Sequence, residues 1–172
     1  MKRKITVVLI VIICFLLQST LFKALSIASI SPNLLIIVTA SFGFMRGKKE
    51  GLLTGFLCGL CIDIFYGETL GFYAMIYMYL GYINGRFRKI FFPEDIKLPM
   101  ILIIASDFAC NILVYFFQFL FRGRFHFPYY MVHVIIPELV YTILVTVFLY
   151  FILLKINQKL EVEEKRSTNR VV

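Results

Sequence analysis

The amino-acid sequence predicts an all-α, polytopic integral membrane protein with six transmembrane helices and both termini in the cytoplasm. Three observations carry that expectation. The first is composition: of 172 residues, 60% are hydrophobic and 16% charged, and the mean hydropathy is +0.87. An ordinary soluble domain holds about 45–50% apolar and about 25% charged residues. A water-soluble fold of the present composition would expose large apolar patches, and disorder requires low hydrophobicity. The second is that the apolar residues form six continuous runs, near the roughly 20 residues that a helix needs to cross a bilayer. The third is that lysine and arginine alternate between the connecting segments. The runs lack strict alternation of apolar and polar residues, which favours helices over a barrel.

The runs occupy residues 5–22, 27–45, 51–66, 70–85, 98–121 and 131–154. Together they make one transmembrane domain, residues 1–154, followed by a short basic tail, 155–172. The first run follows Lys2, Arg3 and Lys4. A basic start and an apolar stretch also suit a signal peptide, with Ser26-Ile27-Ala28 as a small-residue cleavage site. Five further spans make a retained first helix the more natural reading. The second run opens on Ser31-Pro32, and the others are bounded by Gly47, Gly67, Gly85, Pro99 and Pro128, all helix breakers. The third and fourth runs are short, so they tilt little or are partly re-entrant.

Orientation follows from the basic residues. The N-terminus, the second and fourth loops and the tail hold fifteen of the eighteen lysines and arginines; the first, third and fifth loops hold three. The positive-inside rule puts the rich segments in the cytoplasm. The net charge of +8 is therefore a topology signal. The anionic inner leaflet favours it too, and no nucleic-acid partner is expected, since the charge is split among four short segments.

Polar residues within the spans are the candidate functional groups, because they cost free energy there. Gly51, Gly55, Gly59 and Asp63 recur every four residues and form one stripe on the third helix. Such a stripe lets another backbone approach closely. It is either a packing face within the chain or a groove for a partner's helix. Gln18, Asn33, Asp63, Gln118 and Glu138 come from five helices, and the orientation places all five in the outer half of the membrane. They are expected to converge on one outward-facing polar cluster or cavity. Asp107 and Asn111 continue the stripe of Gln118, while Pro137 and Tyr141 flank Glu138 on the sixth helix.

No catalytic constellation accompanies these groups, and a non-enzymatic protein is expected. Cys14, Cys58, Cys61 and Cys110 all sit in apolar runs and read as small hydrophobic residues. His126 and His133 have no carboxylate neighbours in sequence, so no metal site is expected, nor any cofactor. A carrier coupled through Asp63, Asp107 and Glu138 would call for an inverted repeat or broken-helix pair, and none is evident.

The order of motifs resembles the MreD family of bacterial rod-shape-determining membrane proteins. The residues that carry the resemblance are Ser31-Pro32-Asn33-Leu34-Leu35-Ile36, Gly43-Phe44-Met45-Arg46-Gly47, the glycine stripe through Asp63-Ile64, Gly67-Glu68-Thr69-Leu70-Gly71-Phe72-Tyr73-Ala74, Gly81-Tyr82-Ile83-Asn84-Gly85 and Ile136-Pro137-Glu138-Leu139-Val140-Tyr141. It covers roughly Gln18 to Leu154. Thr142 follows Tyr141 where the family often has asparagine. The resemblance implies a scaffold subunit of the cell-wall elongation machinery in the cytoplasmic membrane. It also implies MreC as a partner, with a RodA-type glycan polymerase, a class B penicillin-binding transpeptidase and MreB in a wider assembly. Such proteins are thought similar in fold to the S-components of vitamin transporters. A small-molecule-binding S-component is therefore the second expectation, although residues 5–22 lack the alanines with which S-components usually dock.

Overall fold

The computed structural model describes residues 2–24, 31–67, 69–90, 96–120 and 127–168, and side chains over 3–22, 31–67, 69–90, 96–117 and 129–163. Among the described residues the chain is helical and no strand occurs. Six helices form the bundle: α1 (Lys2–Ser19), α2 (Leu34–Arg46), α3 (Lys48–Phe65), α4 (Phe72–Arg86), α5 (Lys97–Leu120) and α6 (Ile136–Thr168). Two helical stretches, Lys97–Phe117 and Met131–Glu163, are long and apolar enough to cross a membrane.

The central element is α2. All thirteen of its residues are buried, and it packs against each of the other five helices. It begins at Leu34, later than the expected start at residue 27, because Pro32 cannot continue a helix and Asn33 caps it. The Asn33 side chain accepts a hydrogen bond from Ile36 N at 3.3 Å. Residues 25–30 lie outside the described residues. At its other end α2 passes into α3 through one residue, Gly47, whose φ of 99° is open to glycine and strained for other residues. A Cβ there would also lie 2.9 Å from Arg88 Cδ.

α3 and α4 form an antiparallel hairpin with close backbone contact. Facing glycines permit it, as described below. Asn84 then ties α4 to α5: its amide nitrogen donates to Ser106 Oγ at 2.6 Å and to Leu80 O at 2.8 Å. Pro99 falls in the first turn of α5, where its missing N–H costs nothing.

A short helical turn, Phe127–Tyr130, precedes the sixth expected span, which starts with one wide π-type turn, Met131–Ile135. Ile136 N bonds back to Met131 O across that turn. Pro137 explains it: proline lacks the N–H that an α-helix needs and its ring clashes one turn back, so the preceding turn widens. From Ile136 the helix runs unbroken to Thr168. Residues 155–168, expected as a tail, therefore begin as a continuation of α6.

The end of the bundle opposite the α2 N-terminus gathers basic residues. Arg3 pairs with Glu50 at 2.5 Å, joining the starts of α1 and α3. Arg46 is buried, and its Nε donates to the Asn157 side chain while Nη2 donates to the Asn157 carbonyl at 3.4 Å. Asn157 in turn donates to Glu161 at 3.1 Å. Asn157→Ala should cost about 1–3 kcal/mol, because a buried guanidinium loses an acceptor. The exposed neighbour Gln158→Ala should be nearly neutral. Thermal unfolding in detergent compares the two.

Candidate functional site

The polar core of the molecule lies where α2 begins. Asn33 is its hub. Its backbone N–H donates to Thr142 Oγ1 at 3.2 Å, and its side-chain nitrogen donates to Asp107 Oδ1 at 3.3 Å. Its side-chain oxygen accepts from Tyr77 OH at 2.8 Å as well as from Ile36 N. Gln18 supplies the next acceptor, taking Leu35 N–H at 3.3 Å. Side chains from α1, α4, α5 and α6 therefore meet the first turn of α2. Several of them satisfy donors that a helix start leaves open.

Asp107 is fully buried, and its Oδ2 has no hydrogen-bond partner among the described residues. The Thr142 hydroxyl lies beside its carboxylate. Asn111 donates to the Asp107 backbone carbonyl at 3.2 Å, and its side chain also faces Glu138. Among the described residues no lysine or arginine pairs with Asp107 or Glu138.

Beside this network lies a cavity of about 570 Å³. That is within the roughly 300–1,000 Å³ of ligand pockets. Gln18, Asn33, Asn111 and Glu138 line it, together with Phe15 and the tyrosines Tyr66, Tyr73, Tyr77 and Tyr130. Of the five residues expected to converge, Gln18, Asn33 and Glu138 thus share one cavity. The side chain of Gln118 lies outside the described residues, as does His126.

Asp63 departs from the expected cluster and does not line the cavity. Its carboxylate is turned onto the start of α4. Oδ2 accepts from Gly71 N at 3.0 Å and Ala74 N at 2.9 Å, and Oδ1 accepts from Tyr73 N at 2.9 Å. An anion at a helix N-terminus is favoured by both the open N–H groups and the helix dipole.

The other stripe residues face α4 of the same chain. A Cβ on Gly51 would lie 2.2 Å from Gly81 O; on Gly55, 2.2 Å from Tyr77 O; on Gly59, 2.4 Å from Tyr73 O. The same holds in reverse for Gly81, whose Cβ would lie 2.0 Å from Gly51 O. Of the two readings of the stripe, the geometry matches packing within the chain, because α4 already fills the groove.

Pro137 shapes the wide turn ahead of Glu138, and Tyr141 meets Phe22 edge-on with ring centroids 6.0 Å apart. The four cysteines are free thiols. No group of three metal-ligating side chains occurs among the described residues.

A family model described as "MreD: rod shape-determining protein MreD" matches residues 1–160. The chain belongs to the MreD family. Neither the curated proteins nor the solved structures contain a match to it. MreD membership implies a role in rod-shape determination, as a structural rather than a known enzymatic component. The matched region contains the glycine hairpin, the polar network and the cavity. One network residue, Tyr77, is not evident from the sequence. Tyr77 stands in an aromatic, apolar helix that hides its hydroxyl. Thr142, the residue after Tyr141, accepts the backbone N–H of Asn33 with its hydroxyl oxygen.

Proposed function

We propose that the chain is a non-catalytic scaffold subunit of the bacterial cell-wall elongation machinery. It crosses the cytoplasmic membrane six times with both termini inside. It helps maintain rod shape by binding MreC, with a RodA-type polymerase, a class B transpeptidase and MreB in the wider complex. MreD membership carries this reading, and the charge distribution supports the topology. Arg3, Arg46, Lys48, Arg86, Arg88 and Lys155 lie toward the end of the bundle opposite the cavity, as positive-inside topology requires. Large apolar side chains such as Leu9, Phe56, Ile101 and Phe148 are exposed along the sides, as suits contact with lipid tails.

In this setting the bundle interior is held by facing glycines and a polar network, which is how helices associate where the solvent is itself apolar. The exposed faces of α1 and α6 then remain for lipid and for partner spans. The cavity favours a second reading, a vitamin-binding S-component of a transporter. The lack of alanine along residues 5–22 weighs against it.

One measurement separates the two. The tagged protein is purified from detergent and from nanodiscs, and both proteins and small molecules that accompany it are identified. Recovery of MreC is expected. Recovery of a transporter ATPase module and a vitamin, without MreC, would overturn the scaffold reading.

A further inference from the structure

We propose that the cavity at the start of α2 is a binding site for a small organic ammonium ion, with Glu138 as its counter-charge. The proposal goes beyond the scaffold role and does not depend on which proteins the chain binds.

Charge decides the class of ligand. Among the described residues Glu138 is the one carboxylate lining the cavity, and no lysine, arginine or histidine lines it. Asp107 stands behind the wall, fully buried, with Oδ2 unpartnered among the described residues and linked to the wall through Asn33. Two carboxylates without a basic partner among the described residues make this a poor site for an anion, and a bound cation would stabilise their ionised form. A helix start usually attracts anions. Here that attraction is already used: Asn33 N, Leu35 N and Ile36 N donate to Thr142, Gln18 and Asn33 oxygens.

Shape and wall chemistry narrow the class. A volume of about 570 Å³ far exceeds a bare metal ion, which would also need several close ligands. No such group of three occurs among the described residues. Tyr66, Tyr73, Tyr77 and Tyr130 contribute aromatic surface to the wall. Aromatic faces beside a carboxylate are the arrangement that binds alkylated ammonium groups. The cation could belong to a lipid headgroup or to a soluble amine; the chemistry is shared.

The chain contains ten tyrosines and no tryptophan, and four of the tyrosines line the cavity, so part of its tyrosine fluorescence responds to the cavity wall. The full chain in nanodiscs of phosphatidylglycerol is titrated with tetramethylammonium and with ethylammonium, and with acetate as the opposite charge. Saturable quenching by the ammonium probes and none by acetate is expected. Glu138→Gln should weaken binding about tenfold or more. Tyr66→Leu alters a wall residue exposed enough that folding should tolerate the change, and should weaken binding about threefold. That variant keeps the test decisive if Glu138→Gln fails to fold. Repeating the titration with increasing phosphatidylethanolamine assigns the source. Competition by the lipid marks a headgroup site; an unchanged affinity marks a soluble amine. The proposal is overturned if the folded protein shows no saturable response, if both variants bind as tightly as the parent, or if acetate binds instead.

Discussion

Gly55→Ala should destabilise the protein strongly, although it adds one methyl group. The added carbon would lie 2.2 Å from Tyr77 O, 2.7 Å from Tyr77 C and 3.1 Å from Met78 Cα. Non-bonded carbon atoms prefer about 3.5–4.0 Å. Every one of these neighbours is backbone, so no side chain can rotate away. The α3–α4 hairpin must open by about 1 Å to restore normal contact distances. Opening it there also parts Gly51 from Gly81 and Gly59 from Ala74, because the three contacts lie along one line of approach. The cost should reach or exceed about 3 kcal/mol, the upper part of the range for overpacked cores. For a chain of this size that corresponds to a melting point lower by about 6–12 °C. Gly55→Leu should not yield a monodisperse protein. Leu53→Ala, on the exposed face two residues away, serves as the control and should change little. Equal melting points for Gly55→Ala and the parent would mean that α3 and α4 do not meet as described.

How much of this was legible in the sequence depends on the kind of information each residue carries. The glycine stripe was legible because helical periodicity alone decides which residues share a face. Which helix fills that face was not, since Gly81 and Gly85 on α4 need the hairpin geometry before they oppose Gly51 and the start of α3. The gathering of Gln18, Asn33 and Glu138 was legible from helix direction and depth. The same reasoning puts Asp63 in the cluster, whereas its carboxylate lies on the α4 amides. Depth along α3 says nothing of the turn that follows, and the turn brings the α4 amides back over the carboxylate. Gly67 and Gly71 around that turn were the available signal. The sequence presents Arg46 as a topology charge; its burial against Asn157 depends on α6 continuing as a helix past the expected end of its span.

The second large effect is expected at Asp63. Its carboxylate takes three backbone N–H groups at the start of α4, from Gly71, Tyr73 and Ala74. The side chain is 2% exposed, so water cannot readily replace it. Hydrogen bonds to a charged group contribute about 1.5–3 kcal/mol each, and they are not additive where they share an acceptor. Asp63→Ala should therefore cost about 3 kcal/mol or more. Asp63→Asn separates charge from geometry. Its single oxygen can face Gly71 and Ala74 or face Tyr73, but its NH2 group then meets an N–H donor on the other side, so this isosteric change should fall between the parent and alanine. Amide hydrogen exchange locates the effect. Protection at residues 71, 73 and 74 should drop in Asp63→Ala, while residues deep in α2 keep theirs as long as the bundle holds. The consequence reaches the cavity as well. Tyr73 and Tyr77 stand on the first turns of α4, and Tyr77 OH holds Asn33, the hub of the network. Fraying of α4 should loosen that wall, weakening ammonium binding in Asp63→Ala although Asp63 does not line the cavity. Unchanged exchange at the three amides would mean that the carboxylate does not anchor α4, and the link from the hairpin turn to the cavity would be lost with it.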